Sequence, residues 1–378
     1  MIEFLGIEHL FDLSPTEKIL GFFTPLIVYA AFLLVQLLLP ARKVAGYVTN
    51  PSTGEPIVYH LNGLIVFIVM VTVWWFELTG MPRDWFYRSS IFAVMGGTVF
   101  TTIFTFITIF SRPKETRKNP IKAFWSGNIR EFTLFNGRIE SKMFLYITGG
   151  TILAINAMSG AWYHYQLFGE NSNPGVFLFA IFFLVYIIDY CIHERSTLYT
   201  FDLIHEGIGF KLYWGALVIY GWAFASPLWG LAVYPDPELG SFWMGFLLVG
   251  ASVLFLVGLG ISRGSNLQKY TFKRWPERSF MGIKPEYIEA NDRKILVTGF
   301  WGIARHFNYC GELILAVIFA LVLGYFTNLW AWTYGSFIIG FCLRRERTDD
   351  MHCEEKYGSE AWGEYRRRVK HRIIPGIY

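Results

Sequence analysis

The sequence predicts an all-α integral membrane protein, a polytopic bundle of roughly nine transmembrane helices. Three observations carry that fold class. The 378 residues are 53% hydrophobic and 19% aromatic, with mean hydropathy +0.37, and only 16% are charged, against about 25% in a soluble globular chain. Apolar residues gather in runs near 19–39, 61–79, 91–110, 144–160, 175–192, 210–234, 241–262, 310–326 and 329–343, most of them close to the roughly 20 residues a helix needs to cross a bilayer. The runs are continuous rather than alternating, which excludes barrel strands.

Taken in order, the stretch before the first run, Met1 to Lys18, is mildly acidic and lacks the basic start of a cleavable signal. After the third run, Arg112 to Lys142 holds Arg112, Lys114, Arg117, Lys118, Lys122, Arg130, Arg138 and Lys142, opposed only by Glu115, Glu131 and Glu140. Residues 263–309 and the tail from 344 are basic as well. Four runs separate the first basic segment from the second, and two separate the second from the third. All three therefore fall on one side, which the positive-inside rule makes cytoplasmic. The acidic start and "YPDPELG" fall on the other side. The last two runs are short and read as a helical hairpin through "YFTN". The tail "KYGSEAWGEYRRRVKHRIIPGIY" is amphipathic, and Pro375 ends any helix in it.

The four cysteines (Cys191, Cys310, Cys342, Cys353) show no CxxC spacing, so neither a disulfide framework nor a cysteine metal site is expected. There is no repeat and no separate soluble domain. The chain reads as one polytopic domain over 1–378, with N-terminal helices over 1–262 and a polar-rich half over 263–378. Membrane lipids are expected partners and nucleic acid is not. The sequence leaves the oligomeric state open.

Polar groups beside lipid are costly and generally functional. Three segments concentrate them near the membrane surface: "GSNLQKYTFKRW", "GFWGIARHFNYCGEL" and "LRRERTDDMHCEEKYGSEAWGEYRRR". If the second is helical, Arg305, Asn308, Tyr309 and Glu312 share a face. If the third continues the preceding helix, Arg345 and Asp349 pair at i, i+4, with His352 next on the stripe. Lys356, Tyr357 and Tyr365 follow. Lys, Arg, Asn and Tyr converging on one pocket suit a phosphorylated aromatic ligand, because Arg grips phosphate bidentately and Lys as a point charge. Trp301 or a Tyr ring supplies a stacking face. The competing reading, strongest for any single lysine, is membrane-surface anchoring. It does not account for Asn308 or Asp349. Glycine fingerprints, HExxH, GxSxG and a P-loop are absent, which argues against a soluble-type dehydrogenase, hydrolase or kinase.

A second polar group is "YIIDYCIHERSTLYTFDLIHEGIGF". His193 with Glu194 and His205 with Glu206 lie twelve residues apart, which is not a usual metal-ligand spacing, so no metal is expected. An acid in an apolar pocket has a raised pKa and serves as a proton donor. Helix capping and interhelical hydrogen bonding remain the alternative for each residue taken singly.

At these residues the chain resembles the sterol reductase family, which includes sterol C14, C7 and C24(28) reductases and the membrane domain of the lamin B receptor. The matching strings are "YHLNGL", "NLQKYTFKR", "TGFWGIARHFNYCGEL", "RRERTDDMHCEEKYG" and "WGEYRRRVKHRIIPGIY". The resemblance implies a bundle of about ten helices with its cofactor pocket facing the cytoplasm from the C-terminal half. It implies NADPH as hydride donor to a carbon–carbon double bond of a sterol or sterol-like lipid. It carries the cofactor role to Lys269, Lys273, Trp301, Arg305, Asn308, Tyr309, Arg345, Asp349, Lys356, Tyr357 and Tyr365. Lys273 stands where the family often has Arg. The catalytic candidates are Tyr190, Asp189 and Glu194, as proton donor or its support, and Asp349. Two other classes stay open. One is a membrane S-adenosylmethionine-dependent methyltransferase of the isoprenylcysteine carboxyl methyltransferase type, whose C-terminal half is similar. The other is a non-catalytic sterol-binding protein.

Overall fold

Ser14 accepts a hydrogen bond from Glu17 N at 3.3 Å, and the Glu17 carboxylate accepts one from Ser14 N at 2.9 Å. This reciprocal cap, with Pro15 at the first helical position, starts helix α1, Pro15–Leu38. The computed structural model describes residues 6–49, 54–111, 119–290 and 293–378. Arg112, Lys114, Glu115, Arg117 and Lys118 of the first basic segment lie outside the described residues.

The chain divides into two units, Met1–Pro237 and Glu238–Tyr378. In the first, strands β1 (Arg42–Thr49) and β2 (Pro56–Leu61) pair antiparallel, Arg42 opposite Leu61. Helices α2 (Gly63–Trp75), α3 (Ser90–Phe110) and α4 (Pro120–Ser126) follow. The short pair β3 (Thr133–Leu134) and β4 (Ile139–Glu140) leads into α5, Ser141–Phe168, which Glu140 caps by accepting from Met143 N at 2.9 Å. Helix α6 is Pro174–Ile192. Helix α5 is the buried centre of this unit. Lipid tails are as apolar as leucine, so helices in a bilayer associate by close packing and small residues. Gly149, Gly150, Ala154, Ala157 and Gly160 of α5 supply them, all buried.

The run expected over 210–234 is not one helix. It breaks into Phe210–Trp214, a π-type stretch Gly215–Tyr220, and short turns Ala223–Ala225 and Ser226–Leu231. Gly215 and Gly221 weaken the ladder and Pro227 removes a donor, so three local geometries replace a continuous one. Among the described residues five helices are long and apolar enough to cross a membrane: α1, α3, α5 with its last turn, α6 and α7 of the second unit, Ser241–Arg274. Helix α2 and helix α8, Phe307–Leu321, are shorter apolar helices. The protein is an integral membrane protein.

In the second unit α7 has 34 residues, about 50 Å at 1.5 Å per residue. It outruns the apolar run 241–262, so Lys269, Lys273 and Arg274 ride on its polar end. The expected division at 262/263 falls inside this helix. Strands β5 (Tyr287–Ala290) and β6 (Arg293–Leu296) form a hairpin. Its Ile288, Ala290 and Ile295 pack on Trp362, Tyr365 and Val369. After α8, the turn at "YFTN" leads to α9 (Thr333–Tyr357), and Gly358 links it to α10 (Ser359–Arg368). Helix α10 ends before Pro375, as expected. Helix α9 continues through the polar string, which puts Arg345 and Asp349 on one face. Backbones of α7 and α8 approach closely: a Cβ on Gly311 would lie 2.5 Å from Gly258 O and from Ser262 N.

Candidate active site

The late helices bring the sequence-named polar residues into a small number of contacts. Tyr309 on α8 donates to Asp349 Oδ2 at 2.6 Å, and Arg345 Nε donates to Asp349 Oδ1 at 3.1 Å. Both carboxylate oxygens are thus engaged by charge-assisted bonds, which are shorter and stronger than neutral ones. Trp301 Nε1 donates to Ser265 O at 2.9 Å, and Lys269 Nζ, one turn on along α7, lies 4.6 Å from the Trp301 ring centre. Tyr365 OH donates to Trp301 O at 2.8 Å, so α10 fixes the same loop. Among the described residues Asn308 Oδ1 is buried with no hydrogen-bond partner. A buried acceptor left so costs about 1–3 kcal/mol, and a ligand donor would remove that cost.

Lys356 near the end of α9 lies 5.0 Å from the Tyr357 ring centre. Burial pushes its pKa down to about 8, and the positive charges of Lys269 and Arg293 push the same way, with only the Cys353 thiol opposing. Lys273 follows Lys269 by one helical turn on α7. The result is a cationic group drawn from α7, β6 and α9. Arg293 belongs to it and was not among the sequence candidates, because a lone arginine in a hairpin carries no local signal.

Arg305 departs from its expected position. Ala304 is extended, with φ −147° and ψ 152°, and α8 begins only at Phe307. The N–H groups of Arg305 and His306 donate to His371 O and Arg372 O at 3.0 and 2.8 Å instead of to helical carbonyls. Arg305 therefore does not share the helical face of Asn308, Tyr309 and Glu312. Its Nη1 donates to Val369 O at 2.8 Å and Lys370 O at 3.1 Å, and the side chain is 6% exposed. Glu312 stays on α8 and accepts from Ser262 Oγ at 2.5 Å.

In the first unit the string around Asp189 separates into two roles. Asp189 Oδ1 lies 3.0 Å from His193 Nδ1, at i, i+4. Glu194 is buried and its Oε2 accepts from Gly63 N at 3.0 Å, at the start of α2. A Cβ on Gly63 would sit 2.4 Å from that oxygen, so "YHLNGL" needs glycine there to admit the carboxyl. Burial raises the Glu194 pKa to about 7, and the Gly63 N–H opposes only part of the rise. Tyr190 packs against the cluster of Phe67, Ala154, Ile187 and Cys191.

His306, Glu346 and Asp350 place ligating atoms within 4.8 Å of one another, all buried. Arg372 reaches Glu346 at 3.1 Å, and Arg305 and Arg366 reach Asp350 at 3.4 and 3.0 Å. The carboxylate charge is met by arginine, and a divalent cation would have to enter against three guanidinium groups. Burial also pushes His306 down to about 3, so it is neutral at working pH. Neither acid was among the sequence candidates. Their i, i+4 spacing on α9 was the available signal.

The chain is 32% identical over 373 residues to a Delta(14)-sterol reductase of Methylotuvimicrobium alcaliphilum, covering 93% of this chain and 82% of that protein. It is 29% identical over 376 residues to a Delta(14)-sterol reductase of Arabidopsis thaliana, covering 93% and 95%. A 7-dehydrocholesterol reductase of Arabidopsis thaliana is 27% identical over 395 residues, covering 99% and 88%. The model of the ergosterol biosynthesis ERG4/ERG24 family matches residues 5–378. From its first described helix to its last, this chain belongs to that family.

Proposed function

We propose that this protein reduces a carbon–carbon double bond of a sterol or sterol-like lipid, with NADPH as hydride donor. The observation that carries the reading is the cationic group of Lys269, Lys273, Arg293 and Lys356 beside the Trp301 ring. Lys269 and Arg293 bear on Lys356 as cations, with the Cys353 thiol opposing them, and an anionic ligand would add to that opposing charge. A phosphorylated ligand with a flat aromatic face matches that chemistry. Bound there, NADPH would supply the hydride and leave as NADP⁺. The positive-inside pattern supports a cytoplasmic position for this end of α7 and α9.

The residues of this chain have distinct tasks in the reading. Glu194 is the proton donor of this reading: protonation of one olefin carbon would leave the other carbon cationic, and bound NADPH would supply the hydride it takes up. The product gains one proton and one hydride, and Glu194 recovers its proton from solvent. A carboxyl with a pKa near 7 holds its proton at working pH and still releases it. Asp349, held by Arg345 and Tyr309, orders the residues of the second unit that would hold the cofactor. Two of the similar proteins are named Delta(14)-sterol reductases, so a C14-unsaturated sterol is the first substrate to supply. The methyltransferase and scaffold readings gain no support from relatives named as reductases.

Thermal shift of detergent-purified protein tests the cofactor. A ligand that binds the native state raises its melting temperature. NADPH is expected to stabilise and S-adenosylmethionine to do nothing. Stabilisation by S-adenosylmethionine alone would overturn the reading.

A further inference from the structure

Glu346 and Asp350, which form a buried group with His306 of the turn before α8, lie on the face of α9 next to the one that carries Arg345 and Asp349. Its partners come from the end of the chain. Arg366 bridges Asp350 and Glu354 at 3.0 and 2.7 Å, and Arg372 reaches Glu346 at 3.1 Å. Tyr378 OH donates to Glu346 Oε2 at 3.4 Å. The backbone of 371–372 pairs with that of 305–306, and Arg305 Nη1 donates to the carbonyls of Val369 and Lys370. Tyr365 donates to Trp301 O. Residues 365–378 thus bind both α9 and the loop 301–306 that leads to Tyr309.

We infer that this segment is a latch, and that Glu346, Asp350, Arg305, Arg366 and Arg372 are positioning residues that set Asp349, Tyr309 and Trp301 for the cofactor. The inference rests on the cofactor reading above. Glu346 is wholly buried and Asp350 nearly so. Buried ion pairs of this kind add little net stability against apolar replacements, whereas losing one partner strands the other charge. What the pairs supply is register. Arg345 and Asp349 are the immediate sequence neighbours of Glu346 and Asp350, so a rotation of α9 that frees the latch also turns Asp349 away from Tyr309. Arg305 acts through this latch, its Nη1 held by Val369 O and Lys370 O.

The test is a double-mutant cycle on Glu346→Gln and Arg372→Gln, read as KM for NADPH and kcat on purified protein well below its melting temperature. Each single variant is expected to raise KM for NADPH about tenfold, a usual size for such coupling, with a smaller change in kcat. The double variant, with no stranded charge, is expected to recover most of the affinity. Unchanged KM in both single variants, with only a lower melting temperature, would show a purely structural bridge and overturn the inference. A double variant no better than the worse single one would overturn it too. If Glu346→Gln does not fold, Arg372→Lys is read the same way, with a raised KM expected and an unchanged KM overturning the latch. Wild-type protein that binds no NADPH would instead sink the cofactor reading, so the two failures are told apart.

Discussion

Glu194 keeps its proton to about pH 7 because burial outweighs the single Gly63 N–H that favours the anion. A raised carboxyl pKa favours the protonated folded state. Its effect on stability is therefore harmless below the ordinary value of 4.5 and becomes a cost as pH rises through about 7. Activity is expected to fall on the alkaline side with a midpoint near that value. Glu194→Gln is expected to lower kcat by roughly 10²- to 10⁴-fold and to remove that limb, while raising the melting temperature at pH 8. A pH–rate profile of both proteins checks this, and an unchanged limb in the variant would take Glu194 out of the proton path. At Asp349 the expectation is sharper still. Arg345→Ala or Asp349→Ala is expected to abolish reduction in protein that still elutes as a folded species, and full activity in both would remove the pair from the site.

Among the elements, helices α7 and α9 both outlast their apolar runs and so present polar ends. Lys356 has its pKa lowered to about 8, so the charge that would grip a phosphate is lost as pH rises through that value. The KM for NADPH is expected to climb above pH 8, and Lys356→Met is expected to raise KM at pH 7 and flatten the climb. How much was legible in the sequence differs by element. Continuous apolar runs located the long helices, and i, i+4 spacing gave the Arg345–Asp349 pair. Spacing failed at Arg305, because backbone pairing with His371 and Arg372 competes with the helix, and no local pattern encodes a partner 66 residues away. It failed at 210–234 because apolar composition does not report a π-type break. The three short hairpins among the described residues (β1–β2, β3–β4, β5–β6) escaped notice for a similar reason: they are short and enclosed by strong helical signals.

For the whole molecule, helix α7 exposes Phe242, Trp243, Phe246, Val249 and Val253, a large apolar surface that water would not tolerate. The protein is expected to stay in the membrane pellet through an alkaline carbonate wash and to leave it only with detergent. Release by carbonate alone would contradict the membrane assignment. The most direct test of the central claim follows the two hydrogens. Purified protein would be given a C14-unsaturated sterol and NADPH deuterated at the transferred position, in ordinary water. The account predicts a saturated product with one deuterium from the cofactor and one hydrogen from solvent, the pattern reversing in heavy water with unlabelled NADPH. A product without cofactor deuterium, or none with any of the C14, C7 and C24 unsaturated sterols, would contradict it.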